Sequence, residues 1–134
     1  MPILRARDLL RDTKPIYAHP DETVQQAAEK MAAHNVGSLP VVDENMKIIG
    51  MFTERDLTRL VAEKKEKALK EKLSEVMTRK LILAYPDDPL PELAYKMLEH
   101  GIRHLPVVDE QGRLLGVVSI RRILRHLLAA QEWP

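Results

Sequence analysis

Cysteine is absent from this 134-residue chain. That removes disulfides, thiol nucleophiles and Cys-ligated zinc from consideration, and it fits a reducing compartment. Aromatic residues are scarce, with one Trp, three Tyr and one Phe. A core must therefore come from Leu, Val, Ile, Met and Ala, and the stacking platforms that single-stranded nucleic acid needs are missing. Glycine numbers only five, and none falls in a Walker loop or a Gly-x-Ser-x-Gly elbow. Uncharged runs such as 114–120 are far too short to span a bilayer. Residues 1–8 carry no apolar leader core, so a soluble, cytoplasmic protein without a membrane partner is expected. Net charge is only +1, which leaves no global field to draw a polyanion. The C-terminal region is locally basic, with Arg113, Arg121, Arg122 and Arg125 against Glu132.

What is present is a repeat. Leu39-Pro40-Val41-Val42-Asp43-Glu44 recurs as Leu105-Pro106-Val107-Val108-Asp109-Glu110, 66 positions later. Aligning 20–57 with 86–123 at that offset requires no gap, and fourteen of the 38 pairs are identical, among them Pro20/Pro86, Lys30/Lys96, His34/His100 and Gly50/Gly116. Such a period marks two copies of one supersecondary unit. Hydrophobic content of 45% and charged content of 31% are ordinary for a soluble domain.

The order of elements follows from the patterns. Residues 1–15 form a lead-in, in which Asp8-Leu9-Leu10 echoes Glu75-Val76-Met77 with one extra residue before the shared Pro. Ile16 to His19 and Leu81 to Ala84 read as short strands before a turn. Val24, Ala27, Ala28 and Met31 share one helical face, as do Leu90, Leu93, Ala94 and Met97. Thr23 with Gln26 makes an N-cap box for the first helix, and Asp88 before Pro89 is the expected cap of the second. Each motif starts a strand, turns at Asp43-Glu44-Asn45 or Asp109-Glu110-Gln111-Gly112, and returns along a run apolar enough to be buried on both faces. Thr53 and Ser119 stop the return strands and cap the last helices. The expected class is α+β, with two βαββα repeats packed about a pseudo-twofold axis, since neither half alone is long enough for a good core. In chain order the first repeat with its lead-in is 1–62, a charged linker or helix extension is 63–72, and the second repeat with its tail is 73–134.

This arrangement resembles a tandem pair of CBS domains, the motif named after cystathionine β-synthase. The resemblance runs over about residues 7 to 128 and rests on the Pro20/Pro86 turns, the two Leu-Pro-Val-Val-Asp motifs and Gly50-Met51-Phe52-Thr53-Glu54-Arg55-Asp56. It implies a regulatory, non-catalytic module that binds an adenosine-containing ligand (AMP, ADP, ATP or S-adenosylmethionine) in clefts between the repeats. It also implies energy sensing, signalling to an effector protein, and assembly into a homodimer; apolar helix faces with Leu57, Leu60, Leu124 and Leu127 are the expected interface.

Carried residue by residue, the resemblance gives Thr53 to the phosphate and Asp56 to the ribose. A helix N-terminus offers N–H donors to phosphate, and a carboxylate accepts from a ribose diol. Thr-x-x-Asp is equally a capping box that needs no ligand, and both readings stand at this point. In the second repeat Ser119 matches Thr53, but Arg122 replaces Asp56 and cannot accept a hydroxyl bond, which argues against a second nucleoside site. Arg103 and His104 replace Gly37 and Ser38; with Arg121 they would complete one phosphate shell per chain. Adenine would lie near Ile16, Tyr17 and Ala18, with Ile102 and Pro106 as further candidates. His34 and His100 sit at helix C-termini, where the dipole explains them, and no His pair has zinc-ligand spacing. No catalytic or metal residue is expected, and no cofactor beyond the nucleotide itself as regulatory ligand. The competing readings are a nucleic-acid module using the C-terminal arginines and a purely structural dimerisation unit.

Overall fold

The computed structural model describes residues 3–129; Glu132, counted above with the basic tail, and residues 1 and 2 lie outside them. The elements are α1 (Ala6–Leu9), α2 (Val24–His34), β1 (Ser38–Val42), β2 (Ile48–Thr53), α3 (Glu54–Lys64), α4 (Leu73–Val76), α5 (Leu90–His100), β3 (His104–Val108), β4 (Leu114–Ser119) and α6 (Ile120–Ala129), with a 3-10 helix at Lys65–Lys70.

Each motif builds an antiparallel hairpin, β1 with β2 and β3 with β4. The motif aspartate ties the turn: Asp43 Oδ1 accepts from the N–H groups of Asn45 (2.9 Å) and Lys47 (3.0 Å), and Asp109 Oδ1 accepts from Gln111 (2.9 Å) and Arg113 (2.9 Å). These bonds let a short polar side chain replace a backbone turn. The turn needs a left-handed residue, Gly112 in one copy (φ 81) and Met46 in the other (φ 64). Both ladders carry a bulge at the same place, between Val41 and Val42 and between Val107 and Val108.

The segment expected as a first strand is reduced to one parallel bridge in each copy, Ala18 with Val41 and Ala84 with Val107. Ala18 N–H donates to Pro40 C=O (3.0 Å) and Val42 N–H donates to Ala18 C=O (2.9 Å). Extending that ladder upstream needs an N–H at residue 40, and proline has none. The second helix cap also differs from expectation. Pro89 is the N-cap residue of α5, and Asp88 instead accepts from the N–H of Tyr85 (2.9 Å) and from Lys96 Nζ (3.3 Å). The Thr23–Gln26 box caps α2 as read.

Packing cuts across the chain-order segments. Residues 16–81 form one compact unit, the continuous unit; residues 1–15 with 82–134 form the other, the split unit. In the continuous unit, Val24 N–H donates to Glu71 C=O (2.8 Å), Leu73 N–H to Glu22 C=O (2.9 Å) and Ser74 N–H to Pro20 C=O (2.9 Å). In the split unit, Leu90 N–H donates to Leu4 C=O, Ala6 N–H to Asp88 C=O (both 2.9 Å) and Arg7 N–H to Pro86 C=O (3.0 Å). Each lead-in thus docks through backbone bonds in both directions, donating to the turn and accepting from the start of the helix after it. Ala6, Leu9 and Leu73 are fully buried there. Gly50 and Gly116 are glycine because the lead-in lies over them: a Cβ would sit 2.4 Å from Met77 Sδ and 2.8 Å from Leu10 Cδ2, respectively.

The charged segment 63–72 continues α3 and turns through the 3-10 helix. Most of it is exposed, but Ala68 is fully buried and Leu69 packs on the continuous unit's core. Leu57 and Leu60, expected in a dimer face, pack against that same core, whereas Leu124 and Leu127 stay about half exposed. The expectation that both return strands are buried holds for β2; on β4, Leu115 is exposed and Val117 only half-buried.

Candidate functional site

In the continuous unit, β2 ends at Thr53, which has extended backbone (φ −121, ψ 166) and is the N-cap of α3. Its Oγ1 accepts from the N–H of Asp56 (3.2 Å). In return the Thr53 N–H (2.9 Å) and hydroxyl (3.1 Å) both donate to Oδ2 of Asp56. The capping-box reading is therefore realised. It does not consume the carboxylate: among the described residues, Oδ1 accepts no hydrogen bond. Glu54 N–H is taken by Gly37 C=O (3.0 Å). The half-buried Asp56 thus offers one acceptor oxygen beside a helix start that carries positive partial charge.

Ile16, Tyr17 and Ala18 lie across β1 from Thr53. Ala18 pairs on one edge of β1 and Thr53 on the other. Ala18 is buried with both backbone polar groups used, Ile16 packs on the core, and half-buried Tyr17 meets His19 edge to face at 5.7 Å. Lys30 fixes this segment, donating from Nζ to Tyr17 C=O (2.8 Å) and to Glu22 (2.9 Å). Lys96 does the same to Leu83 C=O (3.0 Å) and Asp88 in the other copy. Sequence reasoning missed these two lysines; the signal was an identical Lys eight positions after an acid in both repeats.

In the split unit the structure gathers Arg103, His104, Ser119, Arg121 and Arg122 at one end of the β3–β4 hairpin. His104 faces Ser119 across the ladder, and Arg103 C=O accepts from Ile120 N–H (2.9 Å). Ser119 Oγ accepts from Arg122 N–H (3.1 Å), so the cap survives without its carboxylate half. Arg103 and Arg121 are exposed. Pro106 is buried, with its carbonyl taken by Ala84 N–H (2.9 Å), and Ile102 packs on the core. Ser38, the counterpart of His104, is the one buried polar side chain among the described residues.

His34 and His100 end their helices and are exposed. Among the described residues no group of three His, Asp or Glu could hold a metal, and no helix is long and apolar enough to cross a membrane.

Two hairpins with the same register, turn and capped helix mark a duplicated family unit, and the CBS-domain family model matches residues 3–63 and 73–129. The chain belongs to the CBS domain family. The CBS domain pair of protein MJ0100, solved in complex with 5′-methylthioadenosine and S-adenosyl-L-methionine, is 34% identical; the alignment covers 97% of this chain and all of that one, with a TM-score of 0.88. The CBS domain protein PAE2072 from Pyrobaculum aerophilum, complexed with AMP, is 29% identical over 95% of this chain and all of that one, with a TM-score of 0.82. L-aspartate semialdehyde sulfurtransferase of Methanocaldococcus jannaschii is 36% identical over 124 residues; the match covers 92% of this chain but only 23% of that protein. The two CBS repeats here are unequal in the first turn of the helix that follows each hairpin, with Asp56 in one and Arg122 in the other.

Proposed function

We propose that this CBS pair is a non-catalytic regulatory module that binds one adenosine-containing ligand per chain and signals to an effector protein. The observation that carries the reading is Asp56, held in place through Oδ2 with Oδ1 open at the start of α3. A fixed carboxylate oxygen suits a ribose diol, whose two hydroxyls donate. The AMP, S-adenosyl-L-methionine and 5′-methylthioadenosine in relatives of nearly full coverage support an adenosyl ligand. Thr53 would take phosphate at the helix start; Arg103, His104 and Arg121 would complete its shell; Ile16, Tyr17, Ala18, Ile102 and Pro106 would flank the base. Ser119 and Arg122 belong to the weaker, ribose-incompetent copy. Arg103, Arg121 and Arg122, with no carboxylate among the residues gathered at that end of the hairpin, favour a phosphate over the cationic sulfonium of S-adenosylmethionine.

A thermal-shift series with AMP, ADP, ATP, S-adenosylmethionine and 5′-methylthioadenosine tests this. A ligand that binds only the folded chain must raise the melting temperature. AMP or ATP should give the largest rise; no shift with any of the five would end the reading. Homodimer assembly belongs to the same proposal, and light scattering that finds a monomer at high micromolar concentration would remove it.

A further inference from the structure

Among the described residues, only one of the two hairpins has its outer edge closed. On β2, Met51 exchanges both backbone bonds with Thr78, each 2.9 Å. Two residues on, Thr53 N–H goes to the Asp56 carboxylate (2.9 Å). Residues two apart on a strand present their polar groups to the same edge, so these partners close the edge away from β1. The equivalent positions on β4 are Val117 and Ser119.

Both have lost their partner, for separate reasons. Leu10 takes the place of Met77 over the strand glycine. The lead-in has one extra residue after that point. The chain spends it in a turn, with Thr13 N–H donating to Leu10 C=O (3.1 Å) and Asp12 left-handed (φ 59). Arg11, the counterpart of Thr78, therefore does not reach the strand. Among the described residues nothing pairs with the outward N–H and C=O of Val117. At Ser119 the reason is chemical: Arg122 stands where Asp56 stands and has no acceptor to give. Burial agrees position by position: Met51 is buried where Val117 is half-buried, and Ile49 is half-buried where Leu115 is 40% exposed.

We propose that the open edge of β4 is a docking strand for an extended acidic peptide segment of a partner protein. The sister hairpin shows how such an edge is filled, because Thr78, just after α4, closes it with an antiparallel backbone bridge through one residue. Val117 presents a donor and an acceptor together, which a peptide backbone answers and a phosphate, having no donor, does not. Charge identifies the sequence. Arg121 and Arg122 lie in the first turn of α6 with Ser119 N–H beside them, so an acidic residue belongs two positions before the one that pairs with Val117. The edge itself does not depend on the adenosyl ligand, but Arg121 also belongs to the phosphate shell proposed above, so a phosphate-bearing ligand would compete with the acidic residue there.

Amide exchange on the full chain by NMR tests it, with a blocked synthetic peptide of residues 73–80 carrying Val76→Glu, Arg79→Ser and Lys80→Ser as probe, which is acidic where the native stretch is not. In the free chain Val117 and Ser119 should exchange about tenfold or more faster than Met51. The peptide should slow both. N-methylation of its residue-78 backbone, which removes one donor, should abolish that protection. Arg122→Glu should weaken binding by about tenfold or more through lost charge-assisted bonds, and Leu115→Asp, at an exposed position, should weaken it independently. Three results would overturn the inference: a Val117 amide as protected as Met51 in the free chain, equal binding by the N-methylated peptide, or no protection by the parent peptide up to its solubility limit. Protection that grows with protein concentration alone would overturn it too, by making a second copy the occupant.

Discussion

Asp56→Ala separates the two duties placed on this carboxylate. The first is capping. Truncation leaves the half-buried Thr53 N–H without its acceptor, at a cost of about 1–3 kcal/mol. It also removes a negative charge from the first turn of α3, worth about 0.3–1 kcal/mol. With about 3–5 °C of melting temperature per kcal/mol at this chain length, the summed loss of about 1.3–4 kcal/mol should lower the melting temperature by roughly 4–20 °C. The second duty is the ligand binding proposed above. Losing a charge-assisted acceptor should weaken AMP by about 1.5–3 kcal/mol, roughly ten- to more than a hundredfold in Kd. Asp56→Asn distinguishes the two, since the amide oxygen still accepts from Thr53 but carries no charge. It should recover most of the stability and little of the affinity. Arg122→Ala is the control. Its N–H keeps the Ser119 bond, and losing a cation at a helix start should leave stability within about 0.5 kcal/mol or raise it. Scanning calorimetry gives the first number and titration calorimetry with AMP the second, below each variant's melting onset. A parent-like melting temperature for Asp56→Ala would refute the capping argument; a parent-like Kd would mean that the diol is held elsewhere.

Gly50→Ala should cost about 1–3 kcal/mol by overpacking against Met77, and Gly50→Ala combined with Met77→Ala should cost less than the two changes summed; urea titration checks both. Lys96→Met should destabilise by about 1–3 kcal/mol, because Asp88 and the Leu83 carbonyl lose their donor, and Lys30→Met should match it by the same measurement. The Asp109 carboxyl is held below its ordinary range first by the Arg113 backbone N–H, which outweighs the opposing effect of burial, and further by the Gln111 N–H and the Arg113 side chain. Being depressed in the folded chain, it adds stability above its unfolded value of about 4 that is lost as pH falls through the folded value. Asp109→Asn, which keeps an acceptor for the turn, should flatten the acid limb of the stability curve in that window. Filter binding to RNA or duplex DNA at physiological salt should be weak and indifferent to sequence, and tight sequence-selective binding would favour a nucleic-acid function instead.

The sequence by itself determined the duplication, the family, the helix faces, the hairpins and the inequality of Asp56 and Arg122. These are local or periodic properties: a 66-residue offset, a 3.6-residue stripe and a Thr-x-x-Asp cap are all written in neighbouring residues. Three features were decided only in the tertiary structure, each by a partner distant in sequence. Leu57 and Leu60 fit an outward dimer face in the helical pattern, but the continuous unit's core claims them. The first strands looked as good as any apolar run, yet Pro40 and Pro106 leave each a single bridge. The lead-in before each repeat carries apolar residues at matching positions, Leu9-Leu10 and Val76-Met77, but among the described residues only the one ending in Thr78 reaches its strand. One inserted residue, turned at Asp12, leaves the other edge open. A backbone donor has no sequence signature of its own. Whether it is paired depends on where the rest of the chain arrives, and packing decides that.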